Sequence, residues 1–571
     1  MRTDAKDMTF SLAVAAFLVA ASFLFFLLVH PYHLFFKEQI RLFIYTFEYT
    51  LSYLDKPGAL SCFTGDFLTQ FLYLRGGGAV VVSLLFLVEW IVATRVLRRF
   101  GCGMMTPLQA LIPIIAEWFF FSRISYTPAT SVSLILASLC FLAYSATGRK
   151  PVLMIAGVLF VPLLYCLAGA GMFLLALLVF FYEIYKRRGM LWPGFLIILI
   201  AGAYPLLVRH AYLLTAGQAY LYPSAGWQYA VPGMVMAGLA GVSMCFPKLK
   251  HRVTLRTFTF HLLALSVVFI VSLVYTVDRE TEHILALASE SYFGDRDRVH
   301  RLTEKGIPPH PVAAYYTNIA MSQRGELGDR LMEYYQPGAS GLFLPVNPNT
   351  TWFNIFFSSD VHYYLGDMNM AQHSAMLGMI FSPAHRSSRM VKRLAEVNLA
   401  LGDSTAAEKY LRMLDATLFH RKWAARMRET TTGKRPQPVT IDTIRRAEDY
   451  PAALKVLVKS DSDNRAALDY LLCYHLLNKD IPSFRSAFDT YYKEKAAYIP
   501  RVYGEALLVS LAAGKASEKE FKSYKFDTRL VKEFGEYTAL YEKADGMLDP
   551  VRERFPSTYW LYYHFARMKE E

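Results

Sequence analysis

A chain of 571 residues that is 54% hydrophobic, 15% aromatic and 19% charged is neither a soluble enzyme nor a disordered polymer; soluble domains carry about 25% charged residues. Its positive charge is concentrated in the apolar half. Residues 1–277 hold 20 Lys+Arg against 9 Asp+Glu, whereas residues 278–571 hold 40 against 38. The excess is a signal of membrane topology, which excludes a nucleic-acid partner inferred from net charge.

Apolar runs near residues 9–29, 79–97, 106–121, 130–147, 151–167, 169–185, 191–208, 229–246 and 257–277 predict about nine membrane spans. Each is close to the ~20 residues a helix needs to cross hydrocarbon. With Met1 in the cytoplasm, the short inner segments carry 14 of the 20 basic residues, which places the end of the ninth span outside. The first run is too long for a signal-peptide core. It continues through His30-Pro31-Tyr32-His33 instead of a small-residue cleavage site, so it reads as an uncleaved span. The six cysteines show no CxxC or zinc spacing.

Between the first two spans lies a long outer loop, residues 30–78. Over residues 37–54, Ile40, Phe43, Ile44, Phe47, Leu51 and Leu54 form one stripe and Glu38, Arg41, Tyr45, Glu48 and Ser52 another, which predicts an amphipathic helix on the membrane surface. Lys56-Pro57-Gly58 turns the chain. A second helix, about residues 62–75, presents Asp66, Thr69, Gln70 and Tyr73 on its polar face, and Gly76-Gly77-Gly78 hinges into the next span. Glu38 and Asp66 are candidate acids here, with plain solvation as the alternative for either one. Glu117, in the outward half of the third span, is costly there unless it faces a polar cavity. Arg75, Arg123, Arg209 and His210 lie on the same side, and arginine suits phosphate because its planar fork donates in pairs. No Walker loop, GxGxxG, HExxH or GxSxG is present. If Glu38, Asp66, Glu117, Arg123 and Arg209 converge on one lipid-accessible cavity, an enzyme is favoured. If they are scattered in a solidly packed bundle, a scaffold is.

Residues 278–571 are helical throughout, with short turns at Gly294-Asp295, Gly325-Glu326, Gly366-Asp367, Gly402-Asp403, Asn478-Lys479-Asp480 and Gly514-Lys515. Spacings of about 34–40 residues mark a helix–turn–helix solenoid. Leu394-Ala395-Glu396-Val397-Asn398-Leu399-Ala400-Leu401-Gly402-Asp403, continuing through Ala406-Ala407-Glu408-Lys409-Tyr410-Leu411, resembles a tetratricopeptide (TPR) repeat. Such arrays bind peptides or proteins on a concave face. Residues 336–351 and 429–440 interrupt the pattern. The first break is too long for an inter-helix turn, and its apolar Leu342-Phe343-Leu344 predicts packing, either as a lid over the membrane domain or as a plug within the solenoid.

This layout resembles the GT-C class of integral-membrane glycosyltransferases: a first span, a long outer loop bearing acids, a multi-span bundle and an outer soluble domain. Asp66-Phe67-Leu68-Thr69-Gln70-Phe71 is similar to the acid-xxx-Gln-aromatic stretch in the first outer loop of some members, and the outer repeats look like those of transmembrane-and-TPR O-mannosyltransferases. That class often carries an acid pair or acid-aromatic signature directly after span one, where this chain has Lys37-Glu38-Gln39. Glu38-Gln39, Lys56-Pro57-Gly58 and Tyr334-Tyr335-Gln336-Pro337-Gly338 resemble a Gram-negative bacterial family of multi-span proteins over the whole chain, a likeness that implies no activity.

The resemblance implies an all-α protein of the bacterial inner membrane: a GT-C-like bundle over residues 1–277, then a periplasmic TPR-like α-solenoid over residues 278–571. It implies a donor sugar on a polyprenyl phosphate, Glu38 or Asp66 as general base with Glu117 as a supporting acid, and arginines with His210 holding the leaving phosphate. A protein or peptide would be the acceptor or partner at the repeats. A divalent metal is compatible with this chemistry, and no ligand set is legible. The rival expectation is a non-catalytic scaffold whose solenoid docks an envelope assembly or secretion partner; a transporter is more distant.

Overall fold

A computed structural model describes residues 2–571 apart from 104, 147–149, 187–191, 225, 246–254, 348–349, 432–448, 495–497, 515–517, 546 and 568–571. The described residues are helical and turn-like, with no strand among them. They form two compact units: Met1–Glu282 together with Met413–Lys422, and His283–Arg412 together with Trp423–Glu571.

In the first unit α1 (Arg2–Leu24) continues as a π-turn to Val29. The outer loop then folds as α2 (Pro31–Gln39), α3 (Phe47–Leu51) and α4 (Ala59–Thr69). The bundle follows: α5 (Gly77–Arg99), α6 (Thr106–Gln109), α7 (Leu111–Phe121), α8 (Pro128–Ala146), α9 (Lys150–Ala168), α10 (Gly171–Lys186) and α11 (Trp192–Val208). Short α12 (Ala216–Leu221) precedes α13 (Val231–Cys245) and α14 (Leu255–Thr276). A helix stands at each of the nine expected positions, and among the described residues three stretches are long and apolar enough to cross a membrane: Met8–Val29, Gly77–Arg99 and Pro128–Ala146. A fourth is added if Leu262–Thr276 and Arg279–Phe293, bent by 56°, count as one. Of the others, α9 has 19 residues, as many as α8, and α14 has 22, whereas α7, α10, α11 and α13 have between 11 and 17. At 1.5 Å per residue, the 16 residues of α10 reach about 24 Å, less than a ~30 Å hydrocarbon core.

Large apolar side chains face outward on this unit, including Leu12, Phe17 and Leu28 on the first helix, Leu199 and Leu207 on α11, and Phe260, Leu263 and Val274 on α14. Faces of this kind are unfavourable in water and ordinary in lipid. The inward faces pack α1 on α5, α5 on α8, α8 on α10 and α7 on α13. Trp118 lies among Phe25, Phe26, Phe86 and Phe269.

The loop departs from the expected surface helices. Residues 40–46 are not helical, and Ile40, Leu42, Phe43 and Ile44 are all buried, so this apolar stretch is enclosed on more than one side. Helix resumes only after Thr46, whose hydroxyl caps α3 by accepting from the Tyr49 N–H at 3.3 Å. Phe47, Leu51 and Leu54 of the expected apolar stripe are exposed, so the stripe is divided between a buried first part and an outward second part. The second helix is α4, ending in a 3-10 turn at Tyr73. It packs on α8 and α9. A Cβ on Gly65 would lie 2.4 Å from the Ala129 backbone nitrogen, so this contact requires glycine. The Gly58 N–H donates to the Tyr165 carbonyl at 3.0 Å, fixing the turn between the loop's helices to α9.

In the second unit the predicted Gly-Asp turns work by two linked devices. Gly294, Gly366 and Gly402 take positive φ, which ends one helix, and the following aspartate caps the next. Asp295 accepts from the Arg298 N–H at 3.0 Å and Asp403 from the Ala406 N–H at 2.8 Å. Lys479 takes the left-handed conformation at the Asn478 turn. Helices pack on sequence neighbours, Ser359–Leu365 on Met368–Phe381 and Arg465–Leu477 on Ile481–Ala487 among them. Leu342, Phe343 and Leu344 are buried, and the Phe343 ring stacks on Tyr450 at 4.3 Å with Tyr470, Tyr474 and His362 around it. That ring is a plug of its own unit. Most of the second expected break, residues 429–440, lies outside the described residues.

Candidate functional site

The candidate residues fall in separate places within the first unit. Asp66 sits on α4 with both carboxylate oxygens engaged. Oδ1 accepts from Arg41 Nη1 at 2.8 Å and Oδ2 from the Tyr53 hydroxyl at 2.8 Å, while 18% of its side chain remains open to solvent. Tyr49 and Tyr53 share a hydroxyl–hydroxyl bond of 2.7 Å, and the Tyr45 hydroxyl donates to Gln70 Oε1 at 3.1 Å. Burial, reinforced by the Asp66 charge, pushes the Tyr53 phenol far above its ordinary range, so it stays a donor. The Cys62 thiol is raised to about 12 by burial and by Asp66, with Tyr222 as a hydrogen-bond partner. The result is a partly open carboxylate oriented by an arginine and a tyrosine.

Glu38, expected on a solvated face, is buried. Its Oε1 lies 2.8 Å from His420 Nε2, and the His420 ring meets Tyr73 edge-on at 4.9 Å. Neighbouring contacts bring in the rest of the 413–422 segment. The Tyr45 N–H donates to the Ala416 carbonyl at 2.7 Å, and Phe419 packs on Phe71 and Tyr73. Glu117 is fully enclosed and accepts from the Tyr126 hydroxyl at 3.0 Å and from the Ser131 hydroxyl. Glu89 of α5 is also buried, close enough to Glu117 to act on it electrostatically.

Arg123, Arg209 and His210 contact groups other than these acids. Arg123 is exposed with its guanidinium 5.0 Å from the Phe119 ring, and Arg209 Nε donates to His210 Nε2 at 3.3 Å. Arg75 is exposed at the end of the loop. Two cavities of this unit are lined by none of the seven predicted residues. One, of about 100 Å³, lies among α8, α10 and residues 220–234. The other, of about 300 Å³, is apolar and opens between α1, α7 and α14, lined by Phe17, Leu18, Ile115, Trp118, Leu262 and Phe269.

Three histidines of this unit, His30, His33 and His420, carry contacts that the sequence reading does not assign. Among the described residues, one group gathers three ligand-type atoms within 4.8 Å of one another: His30, His33 and Glu282. The His-x-x-His spacing at residues 30–33 was the available signal; the third member is 249 positions from His33. His420 gave no local signal.

These observations define an all-α protein whose first unit carries helices of membrane-spanning length and apolarity. The chain belongs to DUF6057, a family of unknown function whose model matches residues 6–566. Comparison with curated proteins and with solved structures finds no match.

Proposed function

We propose that the protein is a bacterial inner-membrane transferase of the GT-C glycosyltransferase kind, with a cytoplasmic N-terminus, about nine spans and a periplasmic TPR-like domain that presents the acceptor. The observation that carries this reading is the 300 Å³ apolar cavity between α1, α7 and α14, which suits a polyprenyl chain. Asp66 is the acid best suited to act. Its carboxylate is oriented by Arg41 and Tyr53 and stays partly open, whereas Glu38 and Glu117 are closed off. In the reaction the acceptor hydroxyl attacks the anomeric carbon, Asp66 takes its proton, and the polyprenyl phosphate leaves with the bonding electrons.

The scaffold reading is favoured by a different observation: the charged candidates do not meet on one cavity, and Glu38 and Glu117 are held as internal partners of His420, Tyr126 and Ser131. Asp66→Asn separates the two, because it keeps shape and removes the base. In cells dependent on the protein, the transferase reading expects loss of function at unchanged protein abundance. Full function of Asp66→Asn at that abundance overturns it in favour of the scaffold.

A further inference from the structure

His30 ends the π-turn that closes the first helix, and Pro31 starts α2, which carries His33. The two imidazoles stack with centroids 3.9 Å apart. Both face Glu282, and the three side chains are 0%, 5% and 11% exposed.

Hydrogen bonding assigns the tautomer of His30. Its Nε2 lies 3.1 Å from the Ser122 carbonyl oxygen, which only accepts, so Nε2 carries the hydrogen. In the neutral ring the other nitrogen, Nδ1, then carries a lone pair. The His30 Nδ1 lone pair therefore points toward Glu282 Oε2 at 3.6 Å, and that nitrogen has no hydrogen-bond partner. Two acceptors facing each other in a buried site repel unless a cation lies between them. Glu282 is itself fixed. Oε1 accepts from the Tyr32 N–H at 2.6 Å, and Oε2 accepts from the His33 N–H at 3.3 Å and from His33 Nδ1.

We propose that His30 Nδ1, His33 Nδ1 and Glu282 Oε2 form a binding site for a divalent transition metal, with Zn²⁺ the best-fitting ion. Tetrahedral Zn²⁺ with bonds of about 2.0–2.1 Å separates its ligand atoms by about 3.3–3.4 Å, close to the 3.6 Å between His30 Nδ1 and Glu282 Oε2, while His33 Nδ1 and Glu282 Oε2, hydrogen-bonded in the metal-free site, move apart to share the ion. A ligating histidine usually donates its other ring N–H to a carbonyl or carboxylate, which is the bond His30 makes to Ser122. The metal replaces the proton between His33 and Glu282, and that proton leaves to solvent. Two neutral imidazoles and one carboxylate leave a net single positive charge. Asp278, near enough to His33 to act on it electrostatically, offsets that charge. The cations on the same side are Lys37, whose ammonium donates to the Phe121 carbonyl, and exposed Arg123. Three protein ligands leave a fourth position for water or substrate. This inference does not rest on the transferase reading.

The test uses the full chain purified in detergent, stripped with a chelator and titrated with ZnCl₂ or CoCl₂ alone. The expected result is about one ion per chain, with Co²⁺ giving the visible absorption of a tetrahedral N/O site. His33→Gln and Glu282→Gln should each abolish that absorption. Because these variants can misfold, the wild-type titration stands as an independent readout. A wild-type chain that takes up neither Zn²⁺ nor Co²⁺ overturns the proposal and leaves the cluster as a hydrogen-bonded anchor. So does a wild-type Co²⁺ spectrum that survives in a folded Glu282→Gln variant.

Discussion

Glu38 and His420 are 382 residues apart in sequence, yet Oε1 and Nε2 meet at 2.8 Å with both side chains buried in the first unit. A buried hydrogen bond to a charged group contributes about 1.5–3 kcal/mol, and removing one partner costs more because the other is left unsatisfied. We therefore expect His420→Leu and Glu38→Leu each to lower thermal stability in detergent, and the double variant to lose less than the sum. Additive losses in that cycle would show that the pair is not coupled.

Gly65 is where α4 touches α8. The Cβ of Gly65→Ala would meet Ala129 backbone atoms at 2.4 and 2.5 Å, so relief requires moving a helix. The expected cost is at least about 1–3 kcal/mol, the usual range for overpacking. Gly217→Ala is the control; its Cβ would meet nothing within 4 Å. Equal unfolding temperatures for the two variants would refute the tight contact.

Asp360 centres a buried network in the second unit. It accepts from Arg389, from Arg393 at 3.0 Å and from the Tyr316 hydroxyl at 2.7 Å. Burial alone would raise its pKa, but Arg389 and Arg393 outweigh that and hold it below the ordinary carboxylate value. A depressed folded pKa stabilises above the unfolded value and is lost as pH falls through the folded one. Asp360→Asn should cost about 3–5 kcal/mol near neutral pH, because it removes the carboxylate that the buried Arg389 guanidinium donates to, while Arg393 keeps Glu396 at 2.7 Å. Chemical unfolding of the full chain measures this, and a loss below 1 kcal/mol contradicts it.

Glu505 behaves in the opposite sense. Burial raises it to about 7, against the Tyr559 N–H at 2.6 Å and Arg501 at 3.0 Å. The folded state then binds the proton more tightly than the unfolded state. The stabilisation is complete below about pH 4.5 and is lost as pH rises to about 7, by about 3 kcal/mol at most. Glu505→Gln should remove this slope, so that the difference from wild type changes between pH 5 and 7 and is flat above 7.5. A constant difference across that window would contradict the assignment.

The topology reading has a direct test. A reporter active only outside the cytoplasm, fused after Glu571, should be active, because 14 of the 20 basic residues in the apolar half then face inward. A cytoplasm-only reporter that is active there overturns the orientation.

The helical class was legible because apolar runs and Gly-Asp turns are local signals. Gly294, Gly366 and Gly402 take the conformation their sequence context calls for. The outer loop was misread because a stripe from Ile40 to Leu54 fits a helix as well as it fits a buried non-helical run followed by a short cap. The consecutive Leu42, Phe43 and Ile44, buried together, favoured the run. Glu38 was placed in solvent because its partner is distant in the chain, and periodicity carries no information about such a pair. The acids and arginines were grouped by membrane side alone, a coordinate too coarse to bring them to one point.

The membership of Met413–Lys422 in the first unit has a consequence for any attempt to divide this protein. A chain stopped after Glu282 would lose the imidazole that meets Glu38, the carbonyl that accepts from Tyr45 and the ring that covers Phe71 and Tyr73. The two halves are therefore not interchangeable cassettes. A functional split, a fusion to a foreign outer domain or a swap between family members must carry these ten residues with the N-terminal part.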